Sequence, residues 1–239
     1  MHWQKNTQMV KLIECRIPEE IFAFLGNEKS AVLSSFTSLF PGDWSGSVIS
    51  AQYDNEKVVS VFSSFSDSSL LFLSEGSNPE ELSFGLESTV YTTDNIDADL
   101  IDELYLLSSP SHPSDDIAGT DISLVPLDLI IGDKKIVDMK RYLSLTGRCK
   151  AYTFETDGRI VSFGLVSSSD QYSVITDLYT LPGFRNKGCA AKVIQGLLSL
   201  ARNDTVYTVS EKKNLDLYKK QGFTLCRTIA QYSIRRKQI

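Results

Sequence analysis

Histidine is scarce in this 239-residue chain. His2 and His112 are the whole supply, too few for a histidine-based metal centre or a Ser-His-Asp triad. Cysteine is scarce as well: Cys15, Cys149, Cys189 and Cys226 lie far apart with no CxxC pairing. That excludes a zinc ribbon or a disulfide scaffold and fits reduced thiols in a cytoplasmic protein. No apolar run approaches the ~20 residues that cross a bilayer. The opening "MHWQKNTQMVKLIEC" also lacks the unbroken apolar stretch of a secretory leader. No metal, no membrane association and a cytoplasmic location are therefore expected. What is present is ordinary for a globular protein: 42% of residues are hydrophobic, enough for one large core or two small ones.

Charge is distributed unevenly. Residues 1–120 hold 5 Lys and Arg against 19 Asp and Glu, a net −14, whereas residues 121–239 hold 19 against 11, a net +8. Two readings stay open: solvated faces that attract each other, or a basic half that holds a polyanion. Nucleic acid is not expected as a partner despite the basic tail "SIRRKQI", because the total of −6 is acidic and basic residues are not interleaved with aromatics.

The second half carries the clearer pattern. "ISLVPL" (122–127) reads as a strand and "DKKIVDMKRYLSL" (133–145) as a helix. "AYTFE" (151–155) and "IVSFGLVSS" (160–168) flank Asp157-Gly158, a hairpin signal. "SVITDLYT" (173–180) is a strand, 187–202 a helix with an apolar stripe, and 205–210 a strand. A helix over 213–223 and a strand over 224–234 complete the half. Residues 1–110 follow nearly the same order, with strands at 9–15, 47–54, 58–65, 69–76 and 89–93 and helices at 18–26, 28–40, 79–87 and 97–107. Residues 111–120, rich in Pro, Ser and Gly, read as a linker. The expected fold class is α/β (mixed α+β), with two similar halves, each a twisted mixed β-sheet flanked by helices.

The junction "YTLPGFRNKGCAAK" is chemically the most informative stretch. A β-branched, aromatic strand gives way to Pro-Gly, then to Arg185, Asn186, Lys187 and Gly188, and so to a helix. A helix N-terminus presents unpaired N–H groups and a partial positive charge, a natural seat for phosphate. Gly188 lets the backbone approach an anion without a Cβ, while Arg185 and Lys187 add formal charge.

These residues resemble a known family. "ITDLYTLPGFRNKGCAAKVIQGLL", followed some twenty residues on by "LYKKQGF", is similar to the paired signature of the GNAT superfamily of N-acetyltransferases. The "LYT-x-P" lead-in resembles a branch with an additional N-terminal, degenerate GNAT-like domain. The resemblance covers residues 150–225 well; the first half matches it only in element order.

The resemblance implies acetyl-CoA as cosubstrate and direct transfer of an acetyl group to a primary amine within a ternary complex. It places the pyrophosphate on the N–H groups of about Asn186, Lys187, Gly188, Cys189 and Ala190, with Arg185 beside them. It lays the pantetheine arm along Leu178, Tyr179 and Thr180 and gives the Leu178 N–H to the thioester oxygen. Tyr218 is implied as the acid that protonates the departing thiolate. Asp177, the nearest carboxylate in the strand, is the candidate base, since an alkylammonium with a pKa of roughly 10 must lose a proton. Asn214 joins the cofactor-binding set, although the family's asparagine commonly stands six or seven positions before the tyrosine, where Glu211 and Lys212 are found.

Residues 121–239 are thus expected as the catalytic domain and 1–110 as the degenerate one. Glu75, Glu80 and Glu81 in the first half stand where a pyrophosphate would need cations. The expected partner is a small-molecule or peptide amine, and a homodimer stays open. The alternative function is a non-catalytic acyl-CoA-binding or regulatory module of the same fold.

Overall fold

Asp157 and Gly158 both adopt left-handed backbone angles, φ 52° and 70°, as a tight two-residue hairpin turn requires. They join β7 (Cys149–Thr156) to β8 (Arg159–Ser168). The computed structural model describes residues 7–12, 19–37, 48–54, 57–65, 68–74, 89–96, 98–132 and 134–233. The expected helix at 79–87 and the carboxylates Glu75, Glu80 and Glu81 lie outside these residues.

The chain divides into two compact units. One takes the residues up to Tyr105 together with those from Arg227 onward; the other is Leu106–Cys226. The first holds β1 (Thr7–Leu12), α1 (Glu19–Thr37), β2 (Val48–Asp54), β3 (Lys57–Phe65), β4 (Ser68–Leu73) and β5 (Thr89–Thr92). α1 combines the two expected helices across a kink at Gly26, which takes φ 60°. It buries Ile21, Leu25 and Ala31–Leu33. After β6 (Asp99–Pro110) come α2 (Lys134–Leu145), β7, β8, β9 (Ser173–Thr180), α3 (Cys189–Leu200), β10 (Thr205–Glu211), α4 (Leu215–Lys219) and β11 (Thr224–Ser233).

The units share a pairing scheme. β2–β3–β4 is an antiparallel meander followed by parallel β5, and β7–β8–β9 is one followed by parallel β10. β1 runs antiparallel to β2, and Thr120 makes an antiparallel bridge to Ala151 of β7. Within the first unit the strand beyond β5 is the last part of β11, with Ala230 opposite Thr92 and Ser233 opposite Thr89. Within the second, the neighbour of β10 is β6. Each unit is therefore completed by a strand that the order of elements would assign to the other half.

In the second unit the sheet is covered on both faces, as its continuous apolar strands demand. Val166 of β8, Ile175 and Val206 pack with Val193, Ile194, Leu197 and Leu198 of α3. Phe163 and Leu165 of β8 point the other way, toward Ile122, Leu127, Val137 and Leu143. Side chains alternate along β8 with the period of two that a strand imposes. Gly196 in α3 lies under the Tyr152 ring, where an added Cβ would come within 2.5 Å of ring atoms.

Two expected elements are different in the structure. Residues 97–107 were expected as a helix, but β6 occupies Asp99–Pro110. A short apolar run suits either period, and the available strand partners decide it. "ISLVPL" forms 3-10 turns at Ile122–Leu124 and Leu127–Leu129. The Asp121 side chain accepts from Ser123 N, and Pro126 removes an N–H that a strand would need. Residues 111–120 hydrogen-bond along the second unit: Ser111 N to Asp204 O, His112 N to Leu198 O and Thr120 N to Ala151 O.

Candidate active site

The ladder between β9 and β10 is short. It pairs Ser173 with Val206, Val174 with Tyr207 and Ile175 with Thr208, and ends there. From Thr176 to Thr180, β9 keeps β8 as its neighbour, while the side that faced β10 has no partner strand among the described residues. The departure coincides with a bulge. Phe163 lies opposite Tyr179 and Leu165 opposite Thr176, so Asp177 and Leu178 together face Gly164. Asp177 takes φ 56° to make this possible, a left-handed conformation that Asp tolerates better than most residues. Gly164 leaves space for it: a Cβ there would lie 2.8 Å from Leu197 Cδ1 and 3.3 Å from Leu178 Cδ1.

Beyond β9 the chain makes a 3-10 turn at Pro182–Phe184 and enters α3 through two left-handed residues, Asn186 (φ 60°) and Gly188 (φ 81°). Gly188 is the N-cap, and no side chain caps the helix. The first N–H groups of α3 are thus available to an anion. A Cβ on Gly188 would meet no protein atom within 4 Å. Arg185 donates from Nε to Thr180 O at 3.2 Å and lies 6.0 Å from the Tyr179 ring centroid.

A cavity of about 590 Å³ runs from this turn along β9 to α4. Arg185, Lys213 and Lys220 line it together with Gly188 and Tyr218, and no carboxylate among the described residues does. A second cavity of about 350 Å³ lies in the opening between β9 and β10. It is lined by Asp177, Thr176, Thr208, Ser210 and Glu211. Leu178, Asn214 and Tyr218 border both cavities. A cationic cleft and a hydroxyl- and carboxylate-lined one thus meet beside the unpartnered strand edge.

Tyr218 is buried, its ring edge-on to Phe223 with centroids 5.4 Å apart. Burial pushes its phenol above the ordinary tyrosine value, and a hydrogen bond with Thr208 opposes this. Asp177 forms an ion pair with Lys140 at 2.7 Å and accepts from Thr176 Oγ1 at 2.6 Å. Glu211 pairs with Lys213 at 2.5 Å.

Residues 130–223 match the family model described as "Acetyltransferase (GNAT) family". That segment is similar to a GNAT acetyltransferase domain. No curated protein matches the sequence significantly. Solved structures extend the fold likeness across nearly the whole chain. A tandem GNAT protein from the clavulanic acid biosynthesis pathway is 9% identical over 96% of this chain and 98% of its own, with a TM-score of 0.56. A GNAT-family acetyltransferase from Colwellia psychrerythraea is 16% identical over 95% and 100%, at 0.54. A GCN5-related N-acetyltransferase from Sphaerobacter thermophilus is 10% identical over 94% of each chain, at 0.52. At these identities the likeness is one of fold, and one of the three neighbours is a tandem GNAT protein.

The second unit brings most of the expected residues together. Leu178, Tyr179, Thr180, Arg185, Asn186, Gly188, Cys189, Ala190, Asn214 and Tyr218 all line the larger cavity. Lys187 does not; its ammonium sits over the Phe184 ring, 5.2 Å from the centroid. Asp177 lines the smaller cavity only. The sequence reading missed Lys213 and Lys220, although their spacing from Leu217 (four and three residues) sets all three on one helical face. It also missed Gly164, a glycine inside a strand and hence a bulge signal. Lys140 was missed too: it is spaced three residues from both Val137 and Leu143, on α2's buried stripe. Among the described residues no helix is long and apolar enough to span a membrane. Nor does any group of three or more His, Cys, Asp or Glu there suit a metal.

Proposed function

We propose that the chain is an acetyl-CoA-dependent N-acetyltransferase acting on a primary amine by direct attack within a ternary complex. One observation carries this reading: the cationic cavity and the polar cavity meet at Leu178 and Tyr218, where β10 leaves the edge of β9 unpartnered. The residues present fit a CoA thioester. The uncapped start of α3 at Gly188–Ala190 holds the diphosphate on its N–H groups, and Arg185, Lys213 and Lys220 add charge. Asn186 shapes the turn, Lys187 contributes longer-range charge, and Cys189 opens the helix. Leu178, Tyr179 and Thr180 hydrogen-bond the pantetheine arm as a further strand would.

The thioester supplies an activated acetyl group; the chain positions it and manages charge. The Leu178 N–H, turned by the bulge, stabilises the negative charge that develops on the carbonyl oxygen, and loss of such a donor typically costs ~10²–10³ in rate. The second cavity holds the amine on the opposite side, with Asn214 at the border. Tyr218, kept protonated by burial and bordering both cavities, donates its proton to the departing thiolate and is restored by the proton that the attacking amine sheds. A thiolate already leaves readily, so placement of the amine matters more than this acid.

The first unit has a different role, shaping or packing rather than binding CoA. At the end of β4, Leu73 N donates to Asp94 Oδ2 at 2.8 Å, and Lys29 Nζ donates to Leu73 O at 3.1 Å. Those side chains occupy the backbone groups that a pantetheine arm would use. Lys29 and Asp94 also form an ion pair at 3.2 Å.

The test is release of CoA thiol across small amines, polyamines, aminoglycosides and peptides with free N-termini. Amine-dependent release on at least one class is expected. Tight acetyl-CoA binding with turnover on none would replace this reading with a non-catalytic acyl-CoA-binding module.

A further inference from the structure

The bulge that turns Leu178 toward the cavity junction depends on a left-handed aspartate, and that aspartate is held in a buried contact. Lys140 comes from α2, on the opposite side of the sheet from α3. It is only 3% exposed. Its Nζ lies 2.7 Å from Asp177 Oδ2 and 3.4 Å from Thr176 Oγ1. Thr176 Oγ1 donates to the same Oδ2 at 2.6 Å. One carboxylate oxygen is therefore engaged from two sides. Among the described residues Cys149 is also near the pair; burial raises its thiol, which stays neutral and does not compete for the ammonium.

A free carboxylate in the acceptor cavity would suit a base. A carboxylate held by a buried ammonium and a neighbouring hydroxyl suits a brace, because those contacts fix its position. The backbone argument agrees. φ 56° is less favourable for aspartate than for glycine, and the contact from α2 through Lys140 helps to hold Asp177 there. We propose, on the basis of the acetyltransferase reading above, that Lys140 and Asp177 are positioning residues. Their ion pair fastens the β9 bulge to α2 and so fixes the Leu178 N–H at the thioester. Asp177 does not take the acceptor's proton.

Glycine separates the brace from the base, because it adopts the left-handed conformation without help. Three variants suffice: Asp177→Asn, Lys140→Met with Asp177→Ala, and Lys140→Met with Asp177→Gly. Both double variants remove the two charges together and so leave no buried ion unpaired. The Ala variant is expected to lose about 10²-fold in kcat, the scale of an ångström-level misplacement, with KM for the amine little changed. The Gly variant is expected to regain most of the activity that the Ala variant loses, with an unaltered pH profile of kcat/KM. A Gly variant as inactive as Asp177→Asn, with the acidic limb of that profile gone, overturns the proposal and makes Asp177 the base.

Calorimetry with acetyl-CoA and with CoA gives a readout without turnover. The wild type and the Gly variant should prefer acetyl-CoA, and the Ala variant should lose that preference. Equal discrimination by all three proteins overturns the brace. If wild type turns over no amine, the acetyltransferase reading fails, and this calorimetric comparison alone decides the brace.

Discussion

Gly188→Val tests the anion seat directly. The perturbation has two separable parts. The backbone stays at φ 81°, which costs a side chain with a Cβ about 1–2 kcal/mol, and more for a β-branched one. For a chain of this length, that lowers Tm by roughly 2–8 °C. The second part concerns the ligand. No protein atom lies within 4 Å of a Cβ at this position, so the valine meets no steric conflict with the protein itself. Gly188 lines the larger cavity at the start of α3, where the diphosphate is proposed to sit. Backbone strain shared by free and bound protein cancels from the affinity; the blocked space does not. Displacing the diphosphate from even one or two charge-assisted N–H contacts costs about 1.5–3 kcal/mol each, or at least tenfold in Kd. Calorimetric titration with acetyl-CoA, after circular dichroism has shown the variant folded, measures it. A folded Gly188→Val protein with unchanged Kd would refute the placement of the diphosphate.

Further outcomes are expected. Tyr218→Phe should lower kcat while leaving acetyl-CoA affinity nearly unchanged; full turnover in steady-state assays would remove its acid role. Because burial raises the Tyr218 pKa, the phenol stays protonated up to and beyond about pH 10. Its contribution to stability is complete below that value and is lost as pH rises through the folded-state pKa. No alkaline limb below about pH 10 should therefore vanish in Tyr218→Phe, and a limb near pH 8 that does so would contradict the assignment. Gly196→Ala drives a methyl into the Tyr152 ring and should destabilise the fold by about 1–3 kcal/mol, read from urea unfolding. Removing residues 227–239 strips β5 of its β11 partner; hydrogen exchange should then show the Thr89–Thr92 amides losing protection, and unaltered protection would count against the exchanged-strand arrangement.

The sequence by itself determined the local chemistry. Asp157-Gly158 announced its hairpin because few residues accept two consecutive left-handed angles. Arg185 through Ala190 announced an uncapped helix start beside cations, because charge, glycine and spacing are all short-range properties. Only the tertiary structure decided the rest, for a common physical reason: strand pairing and burial join residues far apart in the chain. Asp99–Pro110 became a strand because partner strands were available, against a pattern that also suited a helix. β11 completes the first unit's sheet although it follows the second unit in sequence. The pairing of Lys140 with Asp177, 37 positions apart, could not be read locally: a lysine on a buried stripe signals a partner without naming it, and only the packed sheet supplies the carboxylate.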